Sequence, residues 1–273
     1  MIRETPIVSA PLVTVARYEH PAGIPHDDPP LETAAGHAIS FVESGGFSVQ
    51  VGRRRWELDR SSLFVTWPGM AYRCRHEERA PRDVCLSFAF AGEAAEERER
   101  CGGGASPAAP MTNRLAFLHR RAAALGAGEA MEAEALAAEL IAVLSEPGGA
   151  GGRLYPSPRL AWYADRVEEA LRIMASSFEQ PHTLSSLARR AGMSAFHFAR
   201  VFRELAGIPP HRHLRRLRLE AAAGLLREGR PVSEVCLETG FGSLSHFIRS
   251  FRRAYGVSPS RLPGRPPVRA AGK

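Results

Sequence analysis

The strongest constraint on this 273-residue chain is a pattern that it carries twice. Leu184, Leu187, Ala188 and Ala191 lead to Gly192, and Val232, Val235, Cys236 and Thr239 lead to Gly240 at the same spacing. A serine follows each glycine, Ser194 in one copy and Ser243 in the other. A second apolar run then ends on a second glycine: Phe198, Val201, Phe202 and Leu205 before Gly207, and Phe247, Ser250, Phe251 and Ala254 before Gly256. The copies are offset by 48 residues before the turn and 49 after it, so the second turn holds one extra residue. Self-similarity at a fixed offset signals one structural unit used twice.

Each copy reads as a short helix, a tight turn and a second helix. Apolar residues at i, i+3, i+4 and i+7 give the second helix one buried face. Serine just before that run can accept an orphan backbone N–H as an N-cap. This is the shape of a helix-turn-helix, whose second helix lies in a DNA major groove. Subtracting the buried stripe leaves Ala195, Phe196, Ala199, Arg200 and Arg203 outward in the first copy. In the second it leaves Leu244, Ser245, His246, Ile248, Arg249 and Arg252. Arg200 and Arg249 hold equivalent places, where an arginine can pair with guanine O6 and N7 or, as the plainer alternative, touch phosphate. Phe196, Leu244 and Ile248 suit thymine methyls if they are wet, and belong to the core if the helical phase is off by one position.

These residues resemble the DNA-binding domain of AraC/XylS-type transcriptional regulators over roughly residues 160–262. The most specific parts are Ala191-Gly192, Phe198-x3-Phe202-x4-Gly207-x2-Pro210, and Gly240-Phe241 with Phe247-x3-Phe251-x4-Gly256-x2-Pro259. Where the family usually has an aromatic residue and an arginine after the last proline, this chain has Arg261-Leu262-Pro263, with Leu262 available for the aromatic's packing site. The resemblance implies a regulator that binds double-stranded DNA, answers a small-molecule effector, contacts RNA polymerase and works as a homodimer. It also implies a cupin-like N-terminal sensor barrel, a resemblance of architecture alone.

Charge is divided in the way such a protein requires. From Arg159 onward there are 20 Lys+Arg against 9 Asp+Glu, whereas the first 158 residues hold 16 against 20. A basic module joined to an acidic one fits a DNA-binding domain attached to something else. Lys273 is the sole lysine, a choice that coding bias explains as well as function does. Scattered cysteines, no secretory leader and no apolar stretch of membrane-spanning length point to a cytoplasmic protein with no membrane partner.

The expected fold class is α+β: a β-rich cupin-like barrel or sandwich with a helical pair, linked to an all-α tandem helix-turn-helix domain. The boundaries read as a sensor or dimerisation domain at 1–146, a Gly-rich linker at 147–158, the DNA-binding domain at 159–262 and a disordered basic tail at 263–273. Strands occupy residues 1 to about 92, interrupted by a proline-rich loop between Pro21 and Pro30, with Ser44-Gly45-Gly46 read as a hairpin turn. Residues 93–110 read as loop or an aborted helix. Two helices follow between Thr112 and Ser145, with Leu115, Leu118, Ala122 and Leu125 lining one face of the first and Leu136, Leu140, Ile141 and Leu144 lining the second. Those faces pack on their own barrel or form a dimer interface. In the helix from Pro209 to Arg227 the inward set is Leu214, Leu217, Ala221 and Leu225.

Cys74 and His76, at i and i+2, could join Cys85 on a neighbouring strand as a metal or thiol sensor; the plainer reading is a buried Cys85 beside incidental neighbours. Cys101 reads as exposed and Cys236 as core. Arg53-Arg54-Arg55 either bind an anionic effector or form a solvated hairpin edge. No cofactor and no catalytic residue are expected, because no nucleophile–base pair or tight His-x-His and glutamate cluster occurs. The function expected is therefore a sequence-specific transcriptional regulator. Its rivals are a cupin-like metalloenzyme or thiol/metal sensor with a DNA-binding tail, and an architectural protein with little sequence preference.

Overall fold

The computed structural model describes residues 3–20, 29–76, 82–102, 106–145 and 154–262. Most of the proline-rich loop, the linker over 147–153, Gly103-Gly104, Pro263 and the basic tail lie outside the described residues. The chain divides into two compact units, Met1–Tyr155 and Pro156–Lys273. Among the described residues no helix is long and apolar enough to cross a membrane.

The first unit is α+β. Its strands are β1 (Arg3–Ser9), β2 (Val13–His20), β3 (Glu32–Thr33), β4 (Ala38–Ser44), β5 (Phe47–Val51), β6 (Arg54–Leu58), β7 (Ser62–Thr66), β8 (Ala71–His76), β9 (Asp83–Phe90) and β10 (Ala108–Pro110). They form two antiparallel sheets, ordered β1-β2-β9-β4-β7-β10 and β3-β8-β5-β6. Period-two alternation gives the larger sheet two different faces. Ile39, Phe41, Val65 and Phe88 turn to one side, where they pack with Leu115, Leu118, Leu136 and Leu140. Val42 and Phe64, one residue out of step, join Phe47, Val49, Leu58 and Met70 in a second core that takes residues from both sheets.

Ser44-Gly45-Gly46 is a turn but does not close a hairpin. β4 pairs with β7 and β9, while β5 pairs with β6 and β8, so the chain changes sheet there. Local turn chemistry specifies the bend; which strand each side then pairs with is set by the two cores. After β5 the chain forms β6, β7 and β8 in turn and changes sheet twice more.

Of the two readings of residues 93–110, the helix that begins and breaks agrees with helix α1 (Gly92–Arg100), and Cys101 beyond it is half-buried against the core rather than exposed. Helices α2 (Asn113–Ala123) and α3 (Ala130–Ser145) cover the larger sheet, α2 capped by Thr112, whose side chain accepts from Leu115 N at 3.1 Å. Leu136 and Leu140 are fully buried within this unit, so the apolar faces of the pair serve their own core. Glu43 of β4 also fastens α2: it accepts from Arg17 Nε at 2.7 Å and pairs with His119 Nε2 at 3.2 Å. Burial alone would raise the Glu43 carboxyl, but hydrogen bonds and charge from His119 and Arg17 outweigh it and hold the group at about 2.

The second unit is all helix: α4 (Ser157–Ser176), α5 (Leu184–Arg190), α6 (Ala195–Ala206), α7 (Pro210–Arg227), α8 (Val232–Glu238) and α9 (Leu244–Tyr255), closed by a 3-10 turn at Pro259–Arg261. The expected linker ends sooner than its composition suggests. Tyr155 N donates to Asn113 Oδ1 at 2.8 Å and α4 begins at Ser157. In α7 the buried residues are Pro210, His213, Leu219, Ala222, Ala223 and Leu226, while Leu214, Leu217, Ala221 and Leu225 are half-buried. The helix meets neighbours on more than one side, which shifts its most buried stripe off the sequence's leucine stripe. In α9 the stripe is narrower than expected, with Phe247 and Phe251 buried and Ala254 exposed.

Gly240, in the second turn, has φ of 76° and sits where an added Cβ would lie 2.3 Å from the Glu179 carbonyl oxygen. Arg218 of α7 braces the same loop, donating from Nε to Phe178 O at 2.7 Å and from Nη2 to Gln180 O at 2.8 Å. Gly192, its counterpart in the first turn, has φ of 65° and open space around it.

Three outcomes are expected. Leu140→Ala should destabilise the first unit by about 2–5 kcal/mol in urea denaturation, the cost of a core cavity, without changing the oligomeric state in sedimentation. Gly192→Ala should cost about 1–3 kcal/mol from left-handed strain, and Gly240→Ala more than that, because a backbone clash adds to the strain. The third concerns pH. Glu43 is lowered from an ordinary 4.5 to about 2, so its contribution is complete above 4.5 and lost as pH falls through about 2. The Tm difference between wild type and Glu43→Gln should therefore shrink steadily between those values.

Candidate nucleic-acid interface

Both copies of the repeat are built alike. Ser194 Oγ accepts from His197 N at 3.3 Å and Ser243 Oγ from His246 N at 3.4 Å, starting α6 and α9. Phe198, Val201, Phe202 and Leu205 are fully buried in α6, as are Phe247 and Phe251 in α9, the pairs of rings lying 5.7 Å apart in each copy. Burial of each phenylalanine contributes on the order of 1.5–3 kcal/mol, which fixes the rotation of each helix about its axis. The extra residue of the second turn goes with Phe241, which is buried and packs 5.0 Å from Phe247.

With that rotation set, the opposite faces follow. Phe196 is 84% exposed, Leu244 44% and Ile248 38%, so none of the three is core. Arg200, Arg203, Ser245, His246, Arg249 and Arg252 are exposed, and Ala199 is half-buried. Phe196, Ala199, Arg200 and Arg203 line one wall of an open groove of about 620 Å³ completed by residues of α4, α5 and α7. His246 packs over Phe241 at 5.9 Å and approaches Ser250 Oγ at 3.5 Å, so its ring is held on the exposed face of α9.

Arg249 does not stand alone. With His246 and Arg253 it lines a second groove, about 570 Å³, whose far wall carries Arg212, Arg215 and Arg216 of α7. Reading the repeat in isolation missed these three arginines of α7, and Arg253 of α9 with them. The signal was the Arg-rich start of α7, but only packing of α7 beside α9 turns it toward the same groove. Arg216 is partly neutralised by Glu220 at 3.7 Å. The arrangement offers alternating cationic and apolar groups on convex helices, which suits phosphate contacts with base-edge contacts between them.

In the first unit the residues proposed as a sensor are not assembled as expected. Cys74 and Cys85 pack against the core shared by the two sheets. Burial, reinforced by Asp83, pushes the Cys85 thiol up to about 12, and burial with Glu32 drives Cys74 the same way, so neither is poised as a thiolate. His76 pairs with Asp83, Nδ1 to Oδ2 at 2.6 Å, and stacks on His20. Arg53, Arg54 and Arg55 are all exposed, and Arg55 lines an open groove with Arg73 and Arg75 on the smaller sheet.

Residues 187–264 match the model of a helix-turn-helix domain family. An HTH-type transcriptional regulator of Mycobacterium tuberculosis is 41% identical over 81 residues, covering 29% of this chain and 31% of the relative. The HTH-type transcriptional regulator ArgR of Pseudomonas aeruginosa is 26% identical over 82% of this chain and 64% of its own length. A probable AraC family regulator from Rhodopseudomonas palustris has a structure 28% identical, covering 36% of this chain and 94% of that one, with a TM-score of 0.34. Matches to the Haemophilus influenzae, Photobacterium leiognathi and Mycobacterium tuberculosis regulators span 31% to 41% of those proteins. The duplicated core, the serine caps and the matched span together identify residues 187–264 as an AraC-type helix-turn-helix domain.

Proposed function

We propose that this chain is a sequence-specific DNA-binding transcriptional regulator rather than an enzyme. The second unit reads double-stranded DNA and the first senses an effector or pairs two copies. The observation that carries this reading is the placement of Arg200 and Arg249 at equivalent, exposed positions of two separately cored helices, each flanked by a further arginine, Arg203 and Arg252. Two such helices can enter successive major-groove faces about 34 Å apart along B-DNA. Phe196, Leu244 and Ile248 are available for thymine methyls, while Arg212, Arg215, Arg216 and Arg253 supply phosphate contacts beside α9. A homodimer would have to use a surface other than the buried faces of α2 and α3. RNA polymerase and a small-molecule effector complete the set of partners, and the cytoplasm is where they would be met.

Genome-wide mapping of bound DNA supplies the operator, and a footprint bounded to roughly two helical turns separates a specific reader from an architectural protein. On that operator, Arg200→Ala and Arg249→Ala should each weaken binding about tenfold or more and relax base preference in one half of the site, since a bidentate guanine contact is worth about 1–3 kcal/mol. Arg215→Ala, on α7, should weaken operator and scrambled DNA alike and make the salt slope shallower by about one unit. Equal losses on both DNAs for Arg200→Ala and Arg249→Ala would reduce them to positioning contacts.

A further inference from the structure

In the first unit, the ends of three strands bring together two imidazoles and a carboxylate. β2 ends at His20 and β9 begins at Asp83, and these two are paired across the larger sheet. β8 ends at His76, which is paired with Phe47 in the smaller sheet. Each of the three residues can present one donor atom such that all three donors lie within 4.8 Å of one another. Among the described residues this is the one group of three His, Cys, Asp or Glu side chains that converges so closely. The site is enclosed: His20 is 8% exposed, Asp83 6%, and the His76 side chain 14%.

The carboxylate is held in place by the backbone. Asp83 Oδ1 accepts from Gly46 N at 2.8 Å, which leaves Oδ2 directed at His76 Nδ1, 2.6 Å away. That approach depends on Gly45, with φ of 71°, where an added Cβ would lie 1.8 Å from Asp83 Oδ1. The two imidazole rings are parallel, 3.8 Å apart and 6° from coplanar, and Phe47 closes the apolar side at 5.4 Å. A structural Asp–His hydrogen bond accounts for two of the three residues. The third donor, His20, is stacked on His76 and lies within 4.8 Å of the same carboxylate.

We infer that His20, His76 and Asp83 form a binding site for a divalent first-row transition-metal ion, with zinc(II) the best fit. Neutral imidazole and carboxylate are the donors such ions take, and a two-His, one-carboxylate set leaves coordination positions open to water or a further ligand. Donors bound at about 2.0–2.2 Å lie roughly 3–3.5 Å from one another, so the set contracts at its widest and opens between His76 and Asp83, and one imidazole turns out of the parallel stack so that the cation lies in the plane of both rings. With the cation on His76 Nδ1 the ring's one N–H proton sits on Nε2, so the imidazole stays neutral, and the cation takes the place of the hydrogen bond between Nδ1 and Asp83 Oδ2. The bound ion would tie the larger sheet to the smaller one at the ends of β2, β8 and β9. The site differs from a thiol sensor, because Cys74 and Cys85 are not among its ligands.

The test uses the full chain, stripped with a chelator and titrated with Zn2+ and with Co2+ as a spectroscopic probe. One equivalent should bind, raise the Tm, and give cobalt bands of nitrogen and oxygen ligation without a thiolate charge-transfer band. Asp83→Asn keeps an acceptor for Gly46 N, and His20→Phe keeps a ring to stack on His76. Each should weaken binding at least about tenfold, since even outer-shell changes cost roughly 10–100-fold. Circular dichroism checks that both variants fold, and His20→Phe decides the matter if Asp83→Asn does not. The Cys74→Ala, Cys85→Ala double variant should bind as wild type does. No binding by wild type, unchanged affinity in His20→Phe, or a thiolate band that vanishes in the double cysteine variant would each overturn the assignment.

Discussion

Everything the second unit presents to solvent depends on two pairs of phenylalanines. Phe198 with Phe202, and Phe247 with Phe251, are the largest buried groups of α6 and α9 and occupy one turn's spacing in each. A helix that buries one stripe must expose the opposite one, so their burial decides that Arg200 and Arg249 face outward. The serine caps set where each helix begins, and through that which residues reach the leading end of the exposed face. Seven arginines of this half line two grooves, Arg200 and Arg203 in one and Arg212, Arg215, Arg216, Arg249 and Arg253 in the other.

The first unit rests on a different constraint, the alternation of its larger sheet. Phe41 and Val42, or Phe64 and Val65, send adjacent side chains to opposite faces, so one sheet serves two cores at once. One core is closed by α2 and α3, with Glu43 held between Arg17 and His119 on the helix side. The other is shared with the smaller sheet, and the changes of sheet at Gly45 and Asp59 are what make it possible. The same change at Gly45 brings the Gly46 amide onto Asp83, so one bend serves both the topology and the cluster of His20, His76 and Asp83.

The helix-turn-helix residues were readable because their partners are close in sequence. Helical period, cap and turn glycine all lie within about two dozen residues, and the second copy confirms the phase of the first. The cluster in the first unit was not readable for the opposite reason. His20 lies 56 residues before His76, and nothing local marks it as a ligand. Cys74 and His76 at i and i+2 drew attention to the right strand, but the partner of His76 is Asp83, at the start of β9 in the other sheet. Sequence spacing records which face a strand residue occupies and says nothing about which strand lies opposite.

The amino-acid sequence by itself determined the tandem helices, their capped starts, the outward residues from Phe196 to Arg203 and from Leu244 to Arg252, and the division into acidic and basic halves. Local propensity and short-range periodicity are sufficient for each of these. Only the tertiary structure decided that α2 and α3 spend their apolar faces on their own sheet, that α7 turns Arg212, Arg215 and Arg216 toward Arg249, and that His20, His76 and Asp83 meet. Each of those outcomes depends on which distant surface best covers an apolar face, a comparison made between whole elements after they have formed.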